Sequence, residues 1–190
     1  MAKESSFKNM VICLFTICLV CSALMGGAYA LTKDTIEAAQ LNKINSAIAV
    51  VVPEFDNDPF GEAFAVEYAG KGYKVFPAKK GENVVGYAIE SSTTKGFSGQ
   101  IVIMVGFEAD GKIFNTSVIS HAETPGLGDK MDQSKSNFSL QFNGKDPATT
   151  NLKVKKDGGE IDAISASTIT SRAFVDAIET AYAVFSAINK

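Results

Sequence analysis

The stretch MVICLFTICLVCSALMGGAYAL, Met10 to Leu31, runs for 22 residues without a charge. At about 1.5 Å per residue, a helix of that length matches the ~30 Å hydrocarbon core of a bilayer. Lys3 and Lys8 precede it, so the short leading end is expected in the cytoplasm and the bulk of the chain beyond the membrane. A cleaved signal peptide is the competing reading, because Ala28-Tyr29-Ala30 has the small-x-small spacing that signal peptidase accepts. A lipoprotein signal fits less well, since Val20 rather than a small residue precedes Cys21. Cys13, Cys18 and Cys21 all lie inside the apolar segment. The exported part therefore has no thiol for a disulfide or a thiolate metal site.

Beyond residue 32 the chain carries 16 Lys and Arg against 20 Asp and Glu. It has no basic patch interleaved with aromatics, which argues against nucleic acid as a partner. The spacing predicts a stalk helix over residues 32–53, opened by an N-cap at Thr32 and stopped by Pro53, with Ile36, Ala39, Ile44, Ala47 and Ile48 on one face. Short β-like runs follow at Tyr73–Phe76, Val84–Glu90, Gln100–Phe107 and Ile113–Ser120, with ADGK (Ala109–Lys112) as a hairpin turn. IVIMVGF is apolar nearly throughout, as suits a strand covered on both faces. Residues 127–142 read as helical, with Met131, Phe138 and Leu140 inward, and Leu152–Lys155 as a short strand. The last helix is expected over Thr168–Ile188, with Phe174, Ile178, Ala181, Phe185 and Ile188 on the buried stripe and Arg172, Asp176, Glu179 and Thr180 opposite. The fold class is α+β: an N-terminal transmembrane helix, then one domain with a largely antiparallel sheet packed against helices. The expected division is 1–9 cytoplasmic, 10–31 anchor, 32–53 stalk and 54–190 extracytoplasmic domain.

Two stretches could carry chemistry. In DAISASTITSRAF, Ser165, Ser167 and Thr168 crowd the start of the last helix, where unpaired N–H groups and the helix dipole favour an anion. Arg172 lies one turn on, on the same face as Thr168. The alternative is an ordinary hydroxyl cap with Arg172 in solvent. In SHAETPGLGDK, Gly126 and Gly128 strip side chains from either side of Leu127, leaving backbone that a flat ligand could approach. The alternative there is a plain turn. His121, the lone histidine, reads as a hydrogen-bonded structural residue, with no second His or Cys nearby to complete a metal set.

DAISAST resembles the flavinylation motif of the FMN-binding domain family, in which an aspartate precedes a Ser/Thr-Gly-Ala/Ser-Thr group and the final threonine carries FMN through a phosphoester. HAETPGLGDK resembles the companion motif of that family. With the N-terminal anchor and the short length, the chain is similar to the G-type subunits of Rnf electron transport complexes. The resemblance implies covalent FMN on Thr168, recognition of Asp162 and Ser165 by an exported flavin transferase that uses FAD, and a flavin lined by Glu123, Thr124, Gly126, Leu127 and Gly128. Ala166 stands where the family has glycine, which implies a slightly different backbone angle.

It further implies a single-pass component of a bacterial inner-membrane complex with its domain on the periplasmic side. Such a complex couples electron transfer between ferredoxin and NAD to Na⁺ or H⁺ movement through its other subunits. The G-type component has no turnover of its own. The rivals are the C-type component of the Na⁺-translocating NADH:quinone oxidoreductase, which shares both motifs, and a flavin-free anchored binding or assembly module.

Overall fold

The computed structural model describes residues 6–188. Lys3, part of the positive leading end, lies outside the described residues. The chain divides into two compact units, Met1–Asn42 and Lys43–Lys190.

The first unit is helical. Helix α1 spans Phe7–Val51, so Thr32 is not an N-cap. Its hydroxyl donates back to the Ala28 carbonyl at 2.9 Å, the bond a mid-helix threonine makes when no free N–H lies ahead of it. The helix is long and apolar enough to cross a membrane.

The second unit is built on a five-stranded antiparallel meander, β1 (Phe64–Tyr68), β2 (Lys71–Lys80), β3 (Asn83–Gly96), β4 (Gly99–Glu108) and β5 (Ile113–His121), paired in chain order. The four predicted strands are present and longer than the sequence suggested. The fifth, β1, sits at an edge with mostly exposed side chains and so offers no alternation of burial to read. Helix α2 (Thr168–Ile188) covers one face of the sheet, burying Phe174, Ile178, Ala181 and Phe185 as predicted, with Ile188 packed at the margin. The last turns of α1, through Ala47, Ile48 and Val51, cover the other face against Phe76, Ala88 and Met104. β4 is thus buried on both sides, which accounts for its unbroken apolar run. Gly106 is required here: a Cβ would collide with the Val51 carbonyl where α1 ends on the sheet.

Between β5 and α2 the chain does not form the helix expected over 127–142. It makes two short 3-10 turns, Gly128–Met131 and Ser139–Phe142. The tighter winding moves Leu140 outward and puts Phe142 in its place. Phe138, Phe142 and Phe174 then form an aromatic cluster, with centroids 5.4 to 5.7 Å apart, that fastens this segment to α2. The expected strand Leu152–Lys155 shrinks to one parallel bridge, Val154 to Ile161, followed by a 3-10 turn at Lys155–Asp157.

Candidate functional site

A cleft of about 310 Å³ opens where the β3–β4 hairpin tip, the glycine turn after β5 and the first turn of α2 converge. It is lined by Phe97 from the hairpin, Glu123, Thr124, Leu127 and Gly128 from the turn, and residues 166–170 from the helix start. Phe97, Leu127 and Ile169 are large apolar side chains left exposed around it. Three such groups around one concavity form a ready surface for a flat aromatic ligand.

Glu123 joins the three segments. Its buried carboxylate accepts from the Thr170 hydroxyl of α2 at 2.6 Å and from the Ser98 N–H of the hairpin at 3.0 Å. Glycines make room for it. A Cβ at Gly128 would stand 2.5 Å from Glu123 Oε2, and one at Gly96 would stand 2.8 Å from Oε1. The closeness of Gly128 therefore serves an internal contact, while Gly126 adopts a left-handed φ of 78° with open space beside it. His121 Nδ1 accepts from the Glu123 N–H at 3.1 Å, which fixes the start of the turn and gives the histidine the structural role expected of it.

The start of α2 is held by Ser171, a fully buried residue that the sequence did not single out. Its hydroxyl donates to the Ser167 carbonyl at 2.9 Å and accepts from the Ile164 N–H at 2.9 Å. This folds residues 164–167 back onto the helix and drives Ala166 to φ 60°. The alanine takes the left-handed angle that glycine favours, so the backbone keeps a glycine-type path at a cost of roughly 1 kcal/mol. No N–H of Thr168, Ile169 or Thr170 is bonded within the described residues. These are the orphan donors of a helix N-terminus, on residues that line the cleft.

The hydroxyls of this stretch are not equivalent. Thr170 is buried and committed to Glu123, Ser167 is buried, and Ser165 is exposed but outside the cleft lining. Thr168 is half-exposed, lines the cleft, and accepts from Lys156 Nζ at 3.3 Å. Asp162 points elsewhere: it pairs with Lys155 at 2.7 Å, and its backbone N–H and carbonyl are held by the Gln141 amide. Arg172 is also elsewhere. Its guanidinium forks onto Asp157 with two bonds of 2.7 Å, beside a neighbouring hollow lined by Lys153 and Asp176. That fork holds the Asp157 carboxyl below its ordinary range. Lys156, Phe97 and Ile169 are the site residues that sequence reasoning missed. An aromatic between the glycines of GFSG was the one available signal, for Phe97.

The FMN-binding domain family matches residues 96–183, a span that contains the entire cleft lining. Proteins named as the G subunit of an ion-translocating oxidoreductase complex are similar over most of the chain. The one from Haemophilus influenzae is 37% identical over 84% of this chain and 81% of its own. That from Shewanella amazonensis is 34% identical over 93% and 86%, and that from Pasteurella multocida 35% over 99% and 97%. The chain belongs to the family of G subunits of ion-translocating oxidoreductase complexes and contains that family's FMN-binding domain.

Proposed function

We propose that the protein is a membrane-anchored electron-transfer subunit of an Rnf-type complex that carries FMN as a phosphoester on Thr168. The observation that carries this reading is the position of Thr168. It is the half-exposed hydroxyl at the helix start that faces both a cation and a cleft with an apolar rim.

The residues present fit the group. Phe97, Leu127 and Ile169 would hold an isoalloxazine ring, and the free N–H groups of Thr168, Ile169 and Thr170 would receive the phosphate. When bound, the flavin supplies the redox chemistry, and the protein sets its position and surroundings. Glu123 and Thr170 keep the cleft walls in register, and Thr124 and Gly128 complete the lining.

Attachment needs an exported transferase, because an unassisted threonine is a poor nucleophile. Thr168 Oγ1 bonds to the flavin-side phosphorus of FAD. The pyrophosphate bridge breaks with its electrons leaving on AMP, and the hydroxyl proton passes to a base of the transferase. Asp162 and Ser165 would be read by that enzyme, and their exposure at the surface supports this. In the cell, α1 stays uncleaved as a single anchor in the inner membrane with the domain on the periplasmic side. The other subunits supply exchange with ferredoxin and NAD and the coupling to Na⁺ or H⁺.

The test is Thr168→Val expressed with the transferase. Flavin fluorescence of the denatured protein band is expected to vanish. Persistence of the signal would place the flavin on another residue.

A further inference from the structure

A second element reaches Thr168 from the segment before the helix. Val154 bridges Ile161, with the Lys155 N–H donating to the Ile161 carbonyl at 2.8 Å and the Ile161 N–H to the Lys153 carbonyl at 3.1 Å. Residues 153–161 thus form a closed bracket, turned by Gly158 at φ 80°. The bracket sorts three consecutive charges. Lys155 is paired with Asp162 at 2.7 Å and Asp157 with Arg172 at 2.7 Å. Lys156, between them, has no carboxylate partner among the described residues, and its ammonium donates to Thr168 Oγ1.

We infer that Lys156 is the cation that receives the phosphoryl group on Thr168. A threonine oxygen has two lone pairs, and Lys156 occupies one while leaving the other for phosphorus. As that bond forms, negative charge gathers on the phosphoryl oxygens beside the ammonium, and the finished phosphodiester keeps one such charge. The pairing of both neighbouring residues keeps Lys156 from being drawn to a carboxylate in the same turn. Arg172, which helical spacing puts on the same face as Thr168, is already occupied by Asp157. This inference rests on Thr168 being the acceptor.

Full-length chain, transferase and FAD are incubated together, and the fluorescent band is followed with time. Lys156→Met is expected to slow labelling about tenfold or more, the scale of a charge-assisted hydrogen bond, while Lys156→Arg restores most of the rate. The wild-type rate should fall with added salt more steeply than that of Lys156→Met. Material labelled to completion then reports the contact without the transferase. At one fixed pH, a ³¹P resonance whose position differs between labelled wild type and labelled Lys156→Met, and is largely restored in Lys156→Arg, shows the cation against the phosphate. Lys156→Met that labels at the wild-type rate, or a ³¹P resonance at the same position in wild type and Lys156→Met, overturns the inference. Thr168→Val run in parallel separates the two readings, since labelling there would overturn the acceptor itself.

Discussion

The Thr170 hydroxyl donates to the Glu123 carboxylate at 2.6 Å across 47 residues of chain, and both side chains are buried. This bond ties helix α2 to the glycine turn along the wall of the cleft, and Ser98 adds the hairpin to the same carboxylate. Thr170→Val leaves the buried carboxylate one donor short and is expected to cost about 1–3 kcal/mol in urea unfolding. Glu123→Gln should cost less than Glu123→Ala, because the amide still offers an oxygen to Ser98. Equal losses for the two would show that the carboxylate is not the joint.

Gly126 and Gly128 flank Leu127 but are glycine for different reasons. Gly128→Ala drives a Cβ against Glu123 and Thr170, and a loss of about 1–3 kcal/mol is expected from overpacking. Gly126→Ala meets nothing and should lose only the roughly 1 kcal/mol of a left-handed alanine. Adding Thr170→Val to Gly128→Ala should cost less than the sum of the two, since both break the same joint. Strict additivity in that cycle would separate the glycine from the Glu123–Thr170 bond.

Ala166 holds a left-handed φ without being glycine. Ala166→Gly is therefore expected to stabilise the domain by ~0.5 kcal/mol, the relief of the Cβ strain less the greater entropy that glycine loses on folding. Ala166→Val should destabilise it by more than that. Thermal melts decide the matter, and a clear loss on Ala166→Gly would contradict the backbone path described for the motif.

The Arg172–Asp157 fork sets a pH dependence. A carboxyl whose folded pKa is depressed adds stability above its unfolded value and loses it as the pH falls through the folded one. Arg172→Ala should return the Asp157 carboxyl toward the ordinary range in an NMR titration and flatten the fall of thermal stability below about pH 4. Its flavin labelling should fall no further than that of Lys156→Met, since losing the fork frees the Asp157 carboxylate to draw the adjacent Lys156 away from Thr168. A Lys156→Met, Arg172→Ala double variant that labels more slowly than Lys156→Met alone would put Arg172 beside the phosphate.

The strands β2 to β5 were readable because glycines punctuate runs whose apolar content follows their burial, and β4 in particular is apolar where both its faces are covered. β1 escaped notice for the opposite reason, being short and exposed at an edge. Residues 127–142 carry apolar spacing that fits a helix, but the aromatic cluster around Phe142 is satisfied by two tight turns instead. The place of Thr168 at the helix start and of the glycine turn beside it was legible from local pattern and family resemblance. Lys156 was not, because its approach to Thr168 depends on the Val154–Ile161 bridge and on the neighbouring charges being paired, both tertiary facts. For Arg172, helical spacing says which face the side chain leaves from and nothing of its partner there, Asp157.

The most direct measurement is mass spectrometry of the protein purified from its own membranes. Trypsin cuts after Lys156 and Arg172, so one peptide, residues 157–172, contains Ser165, Ser167, Thr168, Thr170 and Ser171 together. The structure and the motif predict that this peptide carries one flavin phosphate and that fragmentation assigns it to Thr168 alone. An unmodified peptide, or a flavin phosphate on any of the other four hydroxyls, would contradict the assignment.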